Sequence, residues 1–303
     1  MLAFMMAVYG MAGSEMRAVD SFTQMQTLVK KINNPKGTLV VMDNDDTLST
    51  MPCPDPDNPD TCQYLGGAAW FDWQEAQMEA GAQPRVADSF GELLSISGVL
   101  FALSYMPYTG EDVPVVVKAL ADSGVRLLVE TARGKEFMNA TFNQFSKLPI
   151  KDETHDDLLS LISNHSLAFG KDGRPGMVSP FQPCGDASAR PIVFQQGAMF
   201  LAGQNKGVIL KCILDQYNAQ PNAQKITDIV FIDDSEKNVV NVHKAFKDSR
   251  DYNVIALHYT ALSSHQQALT KGKMAKIYQE NATKRWEAIK DVVQSNIMKP
   301  TFK

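Results

Sequence analysis

The chain lacks clustered cysteine, clustered histidine, a long apolar span and any excess of positive charge. Its four cysteines, Cys53, Cys62, Cys184 and Cys212, form no CxxC pair, and its five histidines show neither HxH nor HExxH spacing. A zinc site built from either is therefore not expected. The net charge of −5 excludes the broad basic footprint of a general nucleic-acid binder but leaves room for a local basic pocket that takes phosphate. The N-terminal apolar stretch is about a dozen residues long, short of the roughly 20 needed to cross a bilayer, so no stable membrane span is expected. Internal repeats and low-complexity tracts are also missing. What is present is 44% apolar residues, ample for a core, and 21% charged residues, too few for a disordered chain.

The N-terminus, "MLAFMMAVYGMAGSEM", is similar to the apolar centre of a secretory signal, with small residues Ala12, Gly13 and Ser14 where cleavage would fall. It lacks a basic start, since no Lys or Arg precedes Arg17. Residues 1–20 are read as a signal peptide, with a buried first helix as the alternative. The protein is accordingly expected to be exported or periplasmic, and otherwise cytoplasmic. Cys53 and Cys62 flank the turn segment "PDPDNPDT" and are placed to close a small disulfide loop, whereas Cys212, inside "GVILKCILDQY", reads as a core residue.

Four short β-rich apolar runs predict buried parallel strands: "TLVVMDN" (38–44), "VRLLVET" (125–131), "DIVFIDD" (228–234) and "NVIALHY" (253–259). Helical patterns alternate with them, which predicts an α/β fold with a doubly wound parallel sheet. Two stretches break the alternation. Residues 51–111 are too long for a structureless loop and read as an inserted helical cap. Residues 150–203 read as a second insertion, with two strands around Gln195, Gln196 and Gly197. The core is then 21–50 and 112–303.

The chemistry is concentrated at predicted strand ends, the edge where open α/β sheets bind ligands. In "LVVMDNDDTLST", Asp43, Asp45 and Asp46 put three carboxylates within four residues. Like charges this close repel, and a cation is the natural compensation. "DIVFIDDSEKN" adds Asp233 and Asp234; "VETARG" adds Thr131 and Arg133; "GQNKG" adds Lys206 at a helix start. Carboxylates from two strands suit Mg²⁺, which takes oxygen ligands and keeps positions for substrate phosphate. A hydroxyl and a lysine suit the other phosphate oxygens. Arg133 is read as a phosphate contact or as the partner of a neighbouring acid, Asp46 and Asp233 as site residues or helix caps. "WFDW", Trp70 to Trp73, is read as packing or as a wall of the substrate pocket.

In chain order, "DNDDTL", Thr131, Lys206 and "DDSEKN" resemble the four motifs of the haloacid dehalogenase-like (HAD) hydrolase superfamily, across residues 38 to 240. "TARG", "QNKG" and "FIDDSEKNV" are similar to an uncharacterised, often exported bacterial family within it. The resemblance implies a Rossmann-like core and a phosphatase that works through an aspartyl phosphate. It implies Asp43 as nucleophile and Asp45 as general acid/base, with its main-chain carbonyl on the metal. Thr131 and Lys206 are implied as phosphate binders, and Asp234, with Asp233 beside it, as the metal carboxylate. An acid at position 45 favours a phosphatase, which must protonate a leaving alkoxide and then activate water, over a dehalogenase or a pump. The expected substrate is a small phosphorylated molecule. The alternatives are a phosphomutase or other phosphotransferase of the same superfamily, or a non-catalytic Mg²⁺-binding module; oligomeric state is not readable.

Overall fold

The computed structural model describes residues 13–55, 58, 60–150, 156–185 and 188–296. In chain order the elements are β1 (Gly13–Val19), α1 (Phe22–Ile32), β2 (Thr38–Met42), α2 (Ala68–Glu79), α3 (Phe90–Leu103), α4 (Asp112–Asp122), β3 (Arg126–Thr131), α5 (Met138–Phe145) and α6 (Leu158–His165). The short strands β4 (Ala168–Phe169) and β5 (Arg174–Pro175) come next, followed by β6 (Val193–Gln195), β7 (Ala198–Phe200), α7 (Lys206–Ala219), β8 (Asp228–Asp233), α8 (Glu236–Phe246), β9 (Asn253–Tyr259), α9 (Ser263–Ala268) and α10 (Ala275–Asn296).

The four predicted strands are all present and form the centre of a seven-stranded sheet in the order β1-β9-β8-β2-β3-β7-β6. Every pairing is parallel except β6 with β7. The strand period sorts side chains onto two faces. Val40, Met42, Leu127 and Val129 pack with α1, α4, α5 and α6 on one side, while Leu39, Val41 and Leu128 pack with α7 and α8 on the other. Burial on both faces explains why these strands read as unbroken apolar runs. The sheet is thus Rossmann-like and doubly wound.

Residues 150–203 do not stand apart from this sheet. β6 and β7 form the expected hairpin, turning at Gln196 (φ 49°) and Gly197 (φ 78°), a pair of positive φ values that suits a two-residue hairpin turn. β7 then pairs with β3 and extends the main sheet.

The 51–111 stretch contributes α2 and α3. Their side chains Trp70, Trp73, Leu93 and Ile96 form a separate cluster with Tyr278, Ala282 and Trp286 of α10. The C-terminal helix, assigned from sequence to the core, therefore packs with the insertion. Trp70 and Trp73 are buried in this cluster, which favours the packing reading.

β1 was not foreseen. Residues 13–19, grouped from sequence with the signal segment, pair in register with β9. Residues 1–12, where the apolar stretch lies, are outside the described residues, as are 56, 57 and 59 of the Pro/Asp turn. Cys53 and Cys62 are bridged as expected. Cys212 is buried on α7 as read, and it is in addition bonded to Cys184, a pairing the sequence did not show. Among the described residues no helix is long and apolar enough to cross a membrane.

Candidate active site

Register places the acids. Met42 pairs with Val129 on one side and with Ile232 on the other, so Asp43 emerges level with Glu130 and Asp233. The chain then reverses: the Asn44 carbonyl accepts from the amides of Leu48 at 2.9 Å and Ser49 at 3.0 Å, and Asp46 adopts φ 56°. Aspartate tolerates this left-handed conformation better than most residues. The tight turn keeps Asp43, Asp45 and Asp46 together while sending their side chains to different partners.

Asp43 and Asp233 converge on Lys206. Its Nζ donates to Asp43 Oδ1 at 2.5 Å and to Asp233 Oδ2 at 2.7 Å, and all three groups are buried. Lys206 reaches them from the first turn of α7, which Asn205 caps by accepting from the Val208 amide at 3.1 Å. Gly207 lets α7 approach α8 this closely, because a Cβ there would stand 2.3 Å from the Asn241 carbonyl oxygen. Burial alone would lower the lysine pKa, but Asp233, Asp43 and Glu130 outweigh it and raise the value. Asp233 also accepts from the Ser235 amide at 2.9 Å and from Asn238 Nδ2 at 3.1 Å. Asp233 is thus an anchor for the lysine and the following helix.

Asp234 faces a different set. Gln266 Nε2 donates to its Oδ2 at 2.5 Å and to Asp46 Oδ2 at 3.0 Å, bridging the two acids. Thr47 Oγ1 accepts from the Asp234 amide at 3.0 Å and donates to Oδ1 at 3.4 Å. His258 lies 3.0 Å from the Asp234 carbonyl oxygen through Nε2, a structural contact. Asp46 also accepts from Thr50 Oγ1 at 2.7 Å; it is a satisfied buried acid, and no helix begins there for it to cap.

Arg133 turns away from the phosphate role read for it. Its Nε and Nη2 grip the two oxygens of Asp45 at 2.8 and 2.7 Å, and its Nη1 donates to Thr141 at 2.9 Å and Gln144 at 2.7 Å. With its donors engaged and its guanidinium 3.7 Å above the Phe101 ring, it is the partner of a neighbouring acid. Thr131 is buried at the end of β3 and accepts from the Arg133 amide at 3.2 Å.

The electrostatics expose a shortage of positive charge. Burial raises Asp43 to about 7 and Asp46 to about 6, and it lifts Asp234 well above the carboxylate range, with Asp233, Asp43 and Asp46 adding to the shift. Oxygens of Asp43, Asp233 and Asp234 lie within 4.8 Å of one another. An all-oxygen donor set of this kind fits a hard divalent cation such as Mg²⁺. With Asp233 committed to Lys206 and Asn238, Asp43 and Asp234 are the side chains best able to turn toward a cation.

Four participants escaped the sequence reading. Glu130 is buried with both carboxyl oxygens unpartnered, and burial pushes it well above its ordinary value. Its signal was a charged residue inside an otherwise apolar strand. Asn238 lay within a quoted motif but was given no role. Gln144 and Gln266 carried no local signal, because only tertiary packing brings them to the acids.

No curated protein matches the chain. A family does: the match covers residues 19–298, nearly the whole chain and every residue of the acidic site, and the chain belongs to the family described as "Protein of unknown function (DUF2608)".

Proposed function

We propose that the protein is a Mg²⁺-dependent phosphatase of the HAD type, hydrolysing a small phosphate monoester through an aspartyl phosphate on Asp43. The observation that carries this reading is Asp43 at the end of the central strand, 2.5 Å from a buried lysine and grouped with Asp233 and Asp234. The sheet order, with β2 between β3 and β8, brings together the strand ends that hold three of the four motifs, Lys206 reaches them from the start of α7, and this supports the resemblance seen in the sequence.

Asp43 would hold the cation with Asp234, and with the main-chain carbonyl of Asp45 as the resemblance implies. When bound, Mg²⁺ supplies charge neutralisation for the carboxylates and the phosphate. Asp43 attacks phosphorus, forming the acyl phosphate as the ester P–O bond breaks. Lys206 and Thr131 stabilise charge on the phosphoryl oxygens. Asp45 gives its proton to the leaving oxygen, then takes one from the water that cleaves the intermediate. Arg133 holds Asp45 in place. The two disulfides support export, since such bridges persist in oxidising compartments.

The test is hydrolysis of p-nitrophenyl phosphate with and without Mg²⁺, in the wild type and in Asp43→Asn. Metal-dependent turnover that the variant abolishes, with acid-stable label trapped only on the wild type, is expected. Full activity in chelator, or in Asp43→Asn, overturns the assignment. Mg²⁺ binding without turnover or phosphoryl transfer on a panel of phosphometabolites would leave the binding-module alternative, and transfer without hydrolysis the phosphotransferase.

A further inference from the structure

A groove of about 740 Å³ opens where the turn after β2 runs into the insertion. Its size is that of a small-molecule site. It begins beside the acids. Thr50, part of its lining, donates to Asp46 at 2.7 Å, and His265, also in the lining, immediately precedes the Gln266 that bridges Asp46 and Asp234. A smaller cavity lined by Asp46 shares Thr50, Met51, Tyr64 and His265 with it.

The lining has a definite chemical character. Met51, Tyr108, Leu262 and Met274 give it apolar walls. Lys271 and Lys273 are its full positive charges, both are exposed, and no carboxylate is among its lining residues. Among the described residues neither lysine ammonium has an ion-pair or hydrogen-bond partner. Two unpaired cations in a lining without carboxylates, on a molecule of net charge −5, form a local inversion of sign. They stand on the segment between α9 and α10, apart from Lys206, which is buried and committed to Asp43 and Asp233. Their charge is therefore available to a part of the ligand other than the reacting phosphate.

We propose that this groove holds the body of the substrate and that Lys271 and Lys273 select phosphate monoesters carrying a second anionic group, joined to the reacting phosphate by an apolar spacer. The inference rests on the phosphatase reading above and adds a substrate class to it. Tyr64 fixes the wall: its hydroxyl donates to the His265 carbonyl at 2.8 Å and its ring stacks on the His265 ring at 4.5 Å, which ties the insertion to the segment that carries the lysines.

The probes are two aryl phosphates that differ only in distal charge, 4-carboxyphenyl phosphate and its methyl ester, together with 4-(phosphonomethyl)benzoate and its methyl ester as non-hydrolysable counterparts. With Mg²⁺, the wild type should favour the carboxylate over the ester about three- to tenfold in kcat/KM, as expected of partly exposed ion pairs. Lys271→Ala/Lys273→Ala should bring that ratio to about one through KM, with the ester turned over as before. Calorimetric titration of the two phosphonates should show the same lysine-dependent preference. A ratio near one in the wild type, or one that survives the double substitution, overturns the groove assignment while the phosphatase reading stands. Lysine-dependent phosphonate binding without hydrolysis of either ester keeps the groove as an anion-selective site and overturns the phosphatase reading instead.

Discussion

Arg133 and Asp45 form a two-point clasp, Nε to Oδ2 at 2.8 Å and Nη2 to Oδ1 at 2.7 Å, with the guanidinium stacked on Phe101 of α3. Gln144 closes the arrangement: it accepts from Arg133 at 2.7 Å and donates to the Phe101 carbonyl at 3.0 Å. The acid beyond the central strand is therefore coupled, through one arginine, to a helix of the insertion. A bidentate pair of this kind fixes direction as well as charge.

Arg133→Lys keeps the charge and loses the fork. It should lower kcat by about 10- to 100-fold, the cost of a misdirected catalytic group. Inhibition by inorganic phosphate should stay as in the wild type, because the guanidinium faces Asp45. Steady-state kinetics with phosphate as inhibitor separates the roles: intact kcat with weakened phosphate inhibition would return Arg133 to phosphate binding.

Asp45→Asn should slow turnover by roughly 10² to 10⁴, the range for loss of a general acid/base. With an activated leaving group, which departs unprotonated, the first step should survive better than the second. Phosphoenzyme should then accumulate in an acid-quench experiment with labelled substrate. Unaltered turnover, or no trapped label under those conditions, would remove Asp45 from the chemistry.

Metal-free stability should fall as pH rises. Burial lifts Asp43 to about 7 and Asp46 to about 6, above their unfolded values of about 4. The folded protein therefore holds more protons than the unfolded chain between about pH 4 and pH 7, and loses stability as they leave. Buried Glu130 adds to the same slope, whereas His265, lowered by burial, opposes it at the acid end. Melting in chelator should drop from pH 5 to pH 8. Added Mg²⁺ should raise the melting temperature more at pH 8, because it competes with protons for the same oxygens. Glu130→Gln should remove part of the slope, about 1.4 kcal/mol per pH unit for one proton, and keep the response to Mg²⁺. A flat profile would contradict the buried acidic cluster.

The unreduced, denatured protein should show no free thiol, since Cys53–Cys62 and Cys184–Cys212 use all four cysteines. Reduction should lower stability, by roughly 3 kcal/mol or more for the bridge that spans 28 residues. Thiol titration followed by melting with and without reductant checks both. Four thiols in freshly purified, unreduced protein would count against both bridges.

The sheet's centre was legible because β2, β3, β8 and β9 are buried on both faces and so betray themselves as apolar runs. The motif residues were legible because parallel strands deliver their C-terminal ends to one edge. Pairing was harder. "VETARG" allowed Arg133 either a phosphate or an acid, and only the fold shows Asp45 within reach. Gln266 and α10 were hidden for the same reason: their partners are distant in sequence, and their own composition is ordinary. β1 was hidden because its exposed, mixed side chains show none of the apolar runs that mark the inner strands.

That outer strand limits where the chain can be trimmed. Gly13–Val19 runs alongside Asn253–Tyr259 residue by residue, and β9 has β8 on its other side. A protease cut within 14–19 would strip this border and leave the main-chain groups of β9 bare, an invitation to pair with another chain. A cut before Gly13 would leave the sheet whole. The peptide bond between Ala12 and Gly13 is therefore the last that can be cut with every pairing of β1 kept.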